Sequence, residues 1–372
     1  MALNKKFWQG KNVLVTGGAG FIGSEIVRQL QAVPDIRITI LDKMTYAADL
    51  QRISGFGQIE LPPRISVEQV ALEDAVAVQK VLERANPDYI LHSAAESHVD
   101  RSIEGPSSFL ESNVVGTFNL LQAALQFWEG KGKDPSFRLL HISTDEVYGS
   151  LGEEGVFSEQ SPYDPRSPYA ATKAASDHLV RAWHHTYEMP VLLTNCGNNY
   201  GYWQFPEKLI PLMILKSLKG EALPLYGSGK QIREWIHVSD HVRGLLAVLE
   251  KGQIGDTYLI GSGDELENRS VVEKICELMD RFCPEQGPHD RLITHVVDRP
   301  GHDKRYALDA KKIRRETSWR PKVSFEDGLL ATVKWYLEQQ KWWQGLEKRG
   351  YAGARLGVRG SAFKDGRELP GS

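Results

Sequence analysis

The stretch that decides the fold is KNVLVTGGAGFIG, residues 11–23, where a short apolar strand runs into a glycine-rich turn. Residues 24–30, with the sequence SEIVRQL, favour a helix directly after the turn. In this order Gly17 permits a tight turn, Gly20 lets the backbone approach a pyrophosphate, and Gly23 lets the helix pack closely on the strand. The first turn of the helix adds free N–H groups for the phosphates. The stretch therefore predicts a dinucleotide-binding βαβ unit.

A carboxylate stands at the end of the next predicted strand. Residues 37–41, with the sequence RITIL, lead into Asp42, at the distance of about twenty residues that such units use for the ribose-binding acid. An acid there binds both hydroxyls of the adenosine ribose and repels a 2′-phosphate. NAD is therefore the predicted cofactor, although Lys43 beside the acid weakens the preference against NADP.

Strands and helices alternate along the first half of the chain. Helices are predicted from about residue 73 and over residues 113–127, and further apolar strands at residues 64–67, 89–92, 138–142 and 191–194. This alternation predicts an α/β fold with a Rossmann-like, doubly wound parallel sheet. Ligands bind at the carboxyl ends of such strands. Three polar segments begin at these ends, residues 93–97, 143–149 and 195–201, so the chemistry is expected in one cleft.

The pattern changes near residue 200. Beyond it the predicted elements are shorter and are interrupted by Gly and Pro, which indicates a second, smaller α/β lobe. We therefore expect an NAD-binding Rossmann domain that carries the catalytic residues over residues 1–200. A mainly substrate-binding lobe is expected over residues 201–345, with some chain returning to the first domain, and a C-terminal tail over residues 346–372. The end of the tail is expected to be loose.

The composition limits the partners. Of 372 residues, 41% are hydrophobic and 25% are charged, and the net charge of −3 does not favour binding to nucleic acid or to an anionic membrane. No apolar run approaches the roughly 20 residues of a membrane span. The N-terminus lacks an apolar signal stretch, so a cytoplasmic location is predicted. Cys196, Cys276 and Cys283 lack the spacing of metal ligands or of a disulfide framework, so no metal is expected.

The segment SPYAATKAAS, residues 167–176, suggests base chemistry. Pro168 suits the first turn of a helix and the alanines favour its continuation, so Tyr169 and Lys173 would share one face. A lysine ammonium one turn away lowers a phenol pKa of about 10 and lets the tyrosine act as a base on a hydroxyl. By itself a pair with this spacing is most often an ordinary surface feature. The dinucleotide-binding unit upstream is what favours catalysis here.

An acid pair follows the strand predicted at residues 138–142. In STDEVYGS, residues 143–150, Asp145 and Glu146 stand side by side. Two acids in a poorly hydrated cleft resist simultaneous ionisation, so one keeps its proton and the pair can supply both an acid and a base. The alternative is that they cap a turn or a helix. The residues alone leave open which of the two is the acid.

Seven motifs together indicate a family. They occupy residues 17–23, 41–47, 94–102, 143–149, 167–173, 205–211 and 298–303. With them the chain, from about residue 11 to about residue 360, resembles the nucleotide-diphosphate-sugar 4,6-dehydratases of the extended short-chain dehydrogenase/reductase superfamily, most of all the dTDP-glucose 4,6-dehydratases. The Thr144-Asp145-Glu146 segment discriminates best, because the related epimerases and decarboxylases do not place this acid pair after the threonine.

The resemblance implies a hydro-lyase that forms a 4-keto-6-deoxy sugar nucleotide and regenerates NAD in each turnover. Tyr169 would take the proton of the C4 hydroxyl as the C4 hydride leaves for NAD, with Thr144 hydrogen-bonded to that hydroxyl and Lys173 holding the nicotinamide ribose. Glu146 would then remove the C5 proton while a protonated Asp145 donates to the departing C6 hydroxyl. The hydride would return to C6.

The resemblance also implies two sets of binding residues and a homodimer. For NAD they are Gly17, Gly20, Phe21, Ile22, Gly23, Asp42, Lys43, Thr45, Leu72, Ala94, Ala95, Ser97, Ser143, Tyr169 and Lys173. For the nucleotide sugar they are Ser97, Asn198, Lys208, Leu209, Pro224, Tyr226, Arg233, Asn268, Arg299, His302 and Tyr306. The dimer would pair through the helices that begin near Asn113 and Tyr169.

Three positions depart from the family pattern. Ala71 stands where an aspartate usually contacts the adenine, Gly197 replaces a usual serine, and Trp203 either shrinks the sugar pocket or only repacks it. A 4,6-dehydratase for UDP-glucose, CDP-glucose or an acetamido sugar therefore stays open. A catalytically silent dinucleotide-binding protein on the same fold is a third hypothesis. It predicts the loss of at least one catalytic residue, whereas all of them are present.

Overall fold

The computed structural model describes residues 3–55 and 60–348. The strands of this part are β1 (Asn12–Thr16), β2 (Arg37–Asp42), β3 (Ile65–Gln69), β4 (Tyr89–His92), β5 (Arg138–Thr144), β6 (Val191–Cys196), β7 (Asn198–Tyr200), β8 (Leu223–Tyr226), β9 (Ile232–His237), β10 (Thr257–Ile260), β11 (Glu265–Glu267) and β12 (Ile293–Val296).

The α-helices of the same residues are α1 (Lys5–Trp8), α2 (Phe21–Leu30), α3 (Gln51–Ser54), α4 (Ala75–Ala85), α5 (Val99–Glu104), α6 (Pro106–Phe109), α7 (Gly116–Gly130), α8 (Pro168–Tyr187), α9 (Leu209–Leu218), α10 (Val238–Lys251), α11 (Asn268–Phe282), α12 (Lys311–Thr317), α13 (Phe325–Glu338) and α14 (Gln340–Lys348). A π-helix covers Leu110–Val115, and short 3₁₀ helices cover Asp145–Tyr148, Pro284–Gln286 and His289–Leu292.

The predicted doubly wound parallel sheet is confirmed. Among the described residues it has seven strands in the order β10-β6-β5-β4-β1-β2-β3, and all of its neighbouring strands are parallel. The chain starts at β1, builds outward to β3, and then returns to the other side of β1 at β4, where Val13 pairs with Tyr89. The direction of winding therefore reverses beside β1, and a crevice opens at the carboxyl ends of the strands there.

Helices cover both faces of this sheet, because successive residues of a strand point to opposite sides. Val13 and Val15 of β1 pack in one core with Ile26 of α2 and Leu245 of α10. Leu14 packs in the opposite core, which is formed with helices α4, α7 and α8. All three β1 side chains are almost fully buried. Burying each of them stabilises the fold by about 1.5–3 kcal/mol relative to exposure.

One predicted helix boundary was wrong. The helix expected over residues 113–127 starts earlier, because the π-helix Leu110–Val115 leads into α7 without a break. Phe109 and Val115, the residues before the two segments, both keep right-handed helical backbone angles, so no cap interrupts the helix near Asn113. By contrast, the helix expected from about residue 73 starts at Ala75, where the Asp74 carboxylate accepts a hydrogen bond from the N–H of Ala77 at 3.0 Å.

The second lobe has its own core. Within the described residues it contains a three-stranded sheet, β11-β9-β7, a two-stranded sheet, β12-β8, and helices α9, α11, α13 and α14. The chain returns to the large sheet at β10, which pairs with β6. The division of the chain at residue 200 stays a prediction. The predicted tail, residues 346–372, lies outside the described residues from residue 349 onward.

Over residues 3–55 and 60–348, no helix has both the length and the apolar character that crossing a membrane requires.

Candidate active site

A cavity of about 350 Å³ lies at the carboxyl ends of the sheet strands, and the glycine-rich turn forms one wall of it. Gly17 has φ +67°, and a Cβ there would come within 2.7 Å of the backbone of Ala94. A Cβ on Gly23 would come within 2.1 Å of the carbonyl oxygen of Gly17. Gly20 is the N-cap of α2 and supplies no side-chain cap for the first N–H groups of the helix. These positions thus fit the pyrophosphate cradle that the sequence predicts.

Asp42 is held against this turn. Its carboxylate accepts hydrogen bonds from the N–H groups of Ala19 at 3.0 Å and Met44 at 2.8 Å. Burial raises the pKa of Asp42, and these two bonds oppose the rise. Lys43 does not stand free beside it, because its ammonium lies 3.2 Å from a Glu73 oxygen and 3.5 Å from a Glu96 oxygen.

The structure brings all the predicted cofactor residues to this one cavity. Its lining includes Gly17, Gly20, Phe21, Ile22, Gly23, Asp42, Lys43, Thr45, Leu72, Ala94, Ala95, Ser97, Ser143, Tyr169 and Lys173. The cradle of glycines and the carboxylate at the end of β2 fit a dinucleotide such as NAD.

The tyrosine and lysine occupy successive turns of α8. The helix begins at Pro168, and the Ser167 hydroxyl caps it by accepting from the N–H of Ala170 at 3.1 Å. Tyr169 and Lys173 are 8% and 3% exposed, so neither belongs to an ordinary surface pair. The Lys173 ammonium donates a hydrogen bond to the carbonyl oxygen of Ile142 at 2.9 Å.

The surroundings of the Tyr169 hydroxyl differ from the simple expectation. Burial and the charge of Glu146 raise its pKa well above the usual value, whereas a hydrogen bond with Thr144 lowers it. Lys173, which was expected to lower the pKa of Tyr169, is not among the largest influences on that pKa. The reason is that the Lys173 ammonium turns toward the carbonyl of Ile142 on β5.

The acid pair lies on the 3₁₀ helix Asp145–Tyr148, which directly follows β5. Its cap is Thr144, whose hydroxyl accepts from the N–H of Glu146 at 3.3 Å and lies 3.2 Å from Asp145 Oδ1. The acids are therefore not needed as caps. Both of them line the cavity, together with Thr144, Tyr169 and Lys173, so the five predicted catalytic residues meet at one place.

The two acids have different electrostatic environments. Burial, the charge of Glu146 and the charge of Glu234 raise the pKa of Asp145 well above its usual value. Burial also raises the pKa of Glu146, but three cations, Arg299, Arg233 and Lys208, oppose the rise. A shared proton therefore prefers Asp145, which suits an acid, and the ionised Glu146 suits a base.

A second cavity of about 180 Å³ continues from the first toward the second lobe. The two share lining residues, among them Ser97, Glu146, Asn198 and Lys208, so they form one cleft. The predicted substrate residues that line the second cavity are Ser97, Asn198, Lys208, Leu209, Pro224, Tyr226, Arg233, Asn268, Arg299 and His302. Three of these are cations, which suits a diphosphate.

Tyr306 is the predicted substrate residue that does not line this cavity. Its ring lies beneath the Arg233 guanidinium, 4.4 Å from guanidinium carbon to ring centroid. Its hydroxyl donates to Asp303 at 2.5 Å, and Arg233 donates to the carbonyl oxygen of the same residue at 3.0 Å. Tyr306 therefore supports Arg233 from behind.

Several lining residues were missed from the sequence, among them Trp235 and Asp100. Trp235 borders both cavities, but a tryptophan within the apolar strand β9 looks like core. Asp100 borders the second cavity, accepts a hydrogen bond from the Tyr226 hydroxyl at 2.6 Å and lies 3.5 Å from Arg299. Asp100 lies in one of the seven motifs, residues 94–102. Its place in that motif was the only feature of the sequence that could have marked it as a site residue.

Two of the three departures from the family pattern have structural explanations, and nothing in the structure explains Ala71. A Cβ on Gly197 would lie 2.7 Å from the carbonyl oxygen of Glu234, so the close approach of the two backbones requires glycine. Trp203 has φ +66° and packs on Trp335 and Trp342, with ring centroids 4.7 and 5.1 Å apart. Trp203 belongs to the core of the second lobe and does not line the two described cavities, which favours the repacking alternative.

In the part of the chain that the structure describes, no three His, Cys, Asp or Glu side chains are placed to hold a metal ion. Cys196, Cys276 and Cys283 form no disulfide.

Comparison with known proteins gives consistent matches. A family model described as GDP-mannose 4,6 dehydratase matches residues 14–332. A dTDP-glucose 4,6-dehydratase from Xanthomonas campestris pv. campestris (strain B100) is 51% identical over 351 residues, which cover 93% of this chain and 98% of that protein. The enzyme of the same description from Neisseria meningitidis serogroup B is 49% identical over 355 residues, covering 94% of this chain and 99% of that protein.

Solved structures agree. The dTDP-glucose 4,6-dehydratase DesIV from Streptomyces venezuelae, with NAD and TYD bound, superposes with a TM-score of 0.82 at 46% identity and covers 90% of this chain and 99% of that chain. A UDP-glucose 4-epimerase from Thermus thermophilus in complex with NAD has a TM-score of 0.77 at 29% identity, covering 88% of this chain and 99% of that chain.

Proposed function

Because the chain belongs to the dTDP-glucose 4,6-dehydratases, within the GDP-mannose 4,6-dehydratase family, we propose that it converts dTDP-glucose to dTDP-4-keto-6-deoxyglucose. The observation that carries the proposal is the difference between Asp145 and Glu146. One buried acid retains a proton while its neighbour faces three cations, as a water elimination requires. NAD, when bound, supplies a hydride acceptor that returns the same hydride later in the turnover.

The first step is oxidation at C4. Tyr169 first loses its phenolic proton to solvent, and the phenolate then removes the proton of the C4 hydroxyl, which Thr144, hydrogen-bonded to Tyr169, orients. Burial raises the pKa of Tyr169, so the step needs positive charge nearby. Lys173 lines the same cavity and would hold the nicotinamide ribose, and NAD, when bound there, would supply that positive charge.

The second step is the loss of water. The 4-ketone acidifies C5, Glu146 takes the C5 proton, and Asp145 donates its proton to the C6 hydroxyl as the C6–O bond breaks. Hydride delivered to C6 and the proton returned by Glu146 to C5 complete the product. The proton that Tyr169 gained equals the one that Asp145 gave up, so both groups return to their starting states through solvent. The net change is the loss of one water.

Substrate binding follows from the charges of the second cavity. Lys208, Arg233 and Arg299 face the diphosphate, and Lys208 is oriented by donating to the carbonyl oxygen of Ser97 at 2.8 Å. The ring of Tyr226 borders the same cavity and offers a surface on which a base can stack.

The test is incubation of the purified protein with dTDP-glucose, with no NAD added. The proposal predicts a product lighter by one water, with the alkali-induced absorbance of a 4-keto-6-deoxy sugar. UDP-glucose and CDP-glucose are assayed in parallel, and product from one of them alone would move the assignment to that nucleotide. The matched control is Glu146→Gln, which keeps the size of the side chain. Failure with all three nucleotides, and with the nucleotide of an acetamido sugar, would reject the 4,6-dehydratase and favour the silent dinucleotide-binding hypothesis.

The proposal includes a homodimer. Leu110, Val115 and Phe118 expose 54%, 42% and 42% of their surfaces along the π-helix and the start of α7, and Phe118 packs edge-on against Trp183 of α8. A run of exposed apolar side chains along one continuous helix, which packs beside α8, suits a self-complementary interface. Light scattering should give the dimer mass for the wild type and a monomer mass for Phe118→Asp. Val156→Asp, which alters an exposed valine elsewhere, should stay dimeric.

The cytoplasmic location expected from the sequence also stays part of this proposal. NAD and nucleotide sugars are multiply charged and are held in the compartment where they are made. Cell fractionation with an antibody to the protein tests it.

A further inference from the structure

We propose that Asp177, to which no role has been given above, is a positioning residue for the C4 oxidation: it fixes Lys173 as an ammonium and ties the carboxyl end of β5 to α8. This inference rests on the proposed function for its kinetic consequence. Its electrostatic part can be measured without turnover.

Asp177 is completely buried one helical turn beyond Lys173 on α8. One of its carboxylate oxygens, Oδ2, accepts hydrogen bonds from the Ser143 hydroxyl at 2.9 Å, the Tyr163 hydroxyl at 2.8 Å and the Asn195 amide at 3.2 Å. The other oxygen lies 3.1 Å from His141 Nε2. A buried carboxylate with this many donors is stabilised in its ionised form, and the donors keep its pKa below the usual value despite burial.

The negative charge of Asp177 acts on Lys173. His141 Nε2 lies between them, 3.4 Å from the Lys173 ammonium. Burial and the lysine hold the pKa of His141 at about 4, so this imidazole is neutral at physiological pH and does not cancel the carboxylate. Burial also lowers the pKa of Lys173, and Asp177 is the strongest influence in the opposite direction.

The other ionisable groups around Lys173 do not replace Asp177. Cys196, from β6, is buried with a raised pKa and stays a neutral thiol. His92, from β4, has a strongly lowered pKa and is neutral too. Tyr169, one turn earlier on α8, is a phenol in the resting site. Asp177 is thus the carboxylate among the described groups that keeps this lysine charged.

Two of the groups that donate to Asp177 are themselves hydrogen-bonded to further residues. The Tyr163 hydroxyl, which donates to Asp177, accepts from Arg181 at 2.8 Å. Tyr148 donates to the Asn195 oxygen at 3.2 Å. Both tyrosines have raised pKa values because of burial, with the charge of Asp177 as the next cause, and Glu159 adds a weaker effect of the same sign on Tyr148. Three donors therefore surround Oδ2 of Asp177, whereas Oδ1 has, among the described residues, only its contact with His141 Nε2, and Arg181 reaches the charge through the Tyr163 hydroxyl.

The same carboxylate also reaches the catalytic strand end. Ser143 donates to Asp177 directly, and the Asn195 amide that donates to it also donates to the carbonyl oxygen of Thr144 at 3.0 Å. Asp177 therefore influences the positions of both Thr144 on β5 and Lys173 on α8. A shift of Asp177 would move both of them relative to the C4 hydroxyl.

The test is Asp177→Asn in the holoenzyme, which keeps the shape and removes the charge. The primary readout is the titration of Lys173, followed by NMR of protein labelled with ¹³C at the lysine ε-carbon and assigned by comparison with Lys173→Met. We expect the pKa of Lys173 to fall by at least about one unit, because an opposite charge at close range is lost. The alkaline limb of the kcat profile should move to lower pH by the same amount, and C4 oxidation at pH 8, followed as bound NADH, should slow about tenfold.

Two variants make the result decisive. Tyr163→Phe removes one hydrogen bond to Asp177 and keeps its charge, so the titration of Lys173 should stay within a few tenths of a unit. Arg181→Met removes a cation that is linked to the carboxylate through the Tyr163 hydroxyl, so it should raise the pKa of Lys173; this variant serves if Asp177→Asn does not fold. An unchanged Lys173 titration in both charge-altering variants would overturn the inference. A wild type that shows the titration but no turnover would instead reject the proposed function.

Discussion

The hydroxyl of Thr144 lies 3.2 Å from one carboxyl oxygen of Asp145, and no other hydrogen-bond partner of that carboxyl is found among the described residues. The second oxygen is buried and unpartnered there. An uncharged carboxyl tolerates this environment far better than a carboxylate does, because burial without donors penalises the charged form. Burial and the neighbouring acids therefore outweigh the single hydrogen bond from Thr144 and make Asp145 the protonated member of the pair, beside an ionised Glu146.

Exchange of the base for an amide should stop the reaction after C4 oxidation. Glu146→Gln keeps the hydrogen-bonding shape and cannot take the C5 proton, so kcat should fall by about 10²–10⁴. Bound NADH should accumulate in a single turnover, and the C5 hydrogen should no longer exchange with D₂O. Asp145→Asn is the comparison: it should also lose turnover, yet still exchange the C5 hydrogen, because its base is intact. Equal exchange rates in the two variants would contradict the assigned roles.

Asp145 should make the protein less stable as pH rises. Its pKa in the folded state lies well above that of an unfolded aspartate, so the folded state binds the extra proton. Stability linked to this group is fully present below the unfolded pKa of about 4 and is lost as pH rises through the folded pKa. Asp145→Asn has no such loss, so its melting temperature should exceed that of the wild type by about 2 °C or more at pH 8, and by less at pH 5. Calorimetry at the two pH values checks this, and a pH-independent difference would show that the carboxyl is ionised throughout.

Gly23→Ala should abolish cofactor retention. The new Cβ would lie 2.1 Å from the carbonyl oxygen of Gly17, so the turn must open and the pyrophosphate cradle is lost. The absorbance ratio at 260 and 280 nm should drop to that of cofactor-free protein. Gly152→Ala is the matched control, because a Cβ there meets no atom within 4 Å. Retained NAD in the Gly23 variant would show that the dinucleotide does not lie on this turn.

Restoring a serine at Gly197 should destabilise this protein. Its Cβ would lie 2.7 Å from the backbone oxygen of Glu234, and overpacking of this kind costs about 1–3 kcal/mol. Urea unfolding measures the loss. Gly130→Ala is the control, because the added methyl group meets no atom within 4 Å. The urea midpoint of this variant should match or exceed that of the wild type. A Gly197→Ser protein as stable as the wild type would mean that the Glu234 strand can move aside.

The sequence was sufficient where the signal is local. Gly17, Gly23 and Asp42 each satisfy a backbone or charge requirement within a single βαβ unit, and the structure places them as that unit demands. Tyr169 and Lys173 are four residues apart on one helix, so their meeting needs no knowledge of the fold.

What the sequence could not provide depends on packing between distant segments. Asp177 acquires its partners from β5, β6 and the loop that holds Tyr163, and nothing in its neighbours along the chain indicates this. The pKa of Tyr169 was expected to fall because of Lys173, but burial and Glu146 dominate it, and both effects exist only in the folded site. The position of Trp203 likewise depends on its packing against Trp335 and Trp342, which are more than a hundred residues away in the sequence.

The central claim is that one hydride leaves C4 and returns to C6 of the same sugar within a closed site. It is tested most directly by turnover of dTDP-glucose carrying deuterium at C4, in ordinary water and without added NAD, followed by mass spectrometry and NMR of the product. The deuterium should appear in the C6 methyl group, with unlabelled hydrogen at C5. Loss of the label to solvent, or its retention at C4, would contradict the proposed reaction.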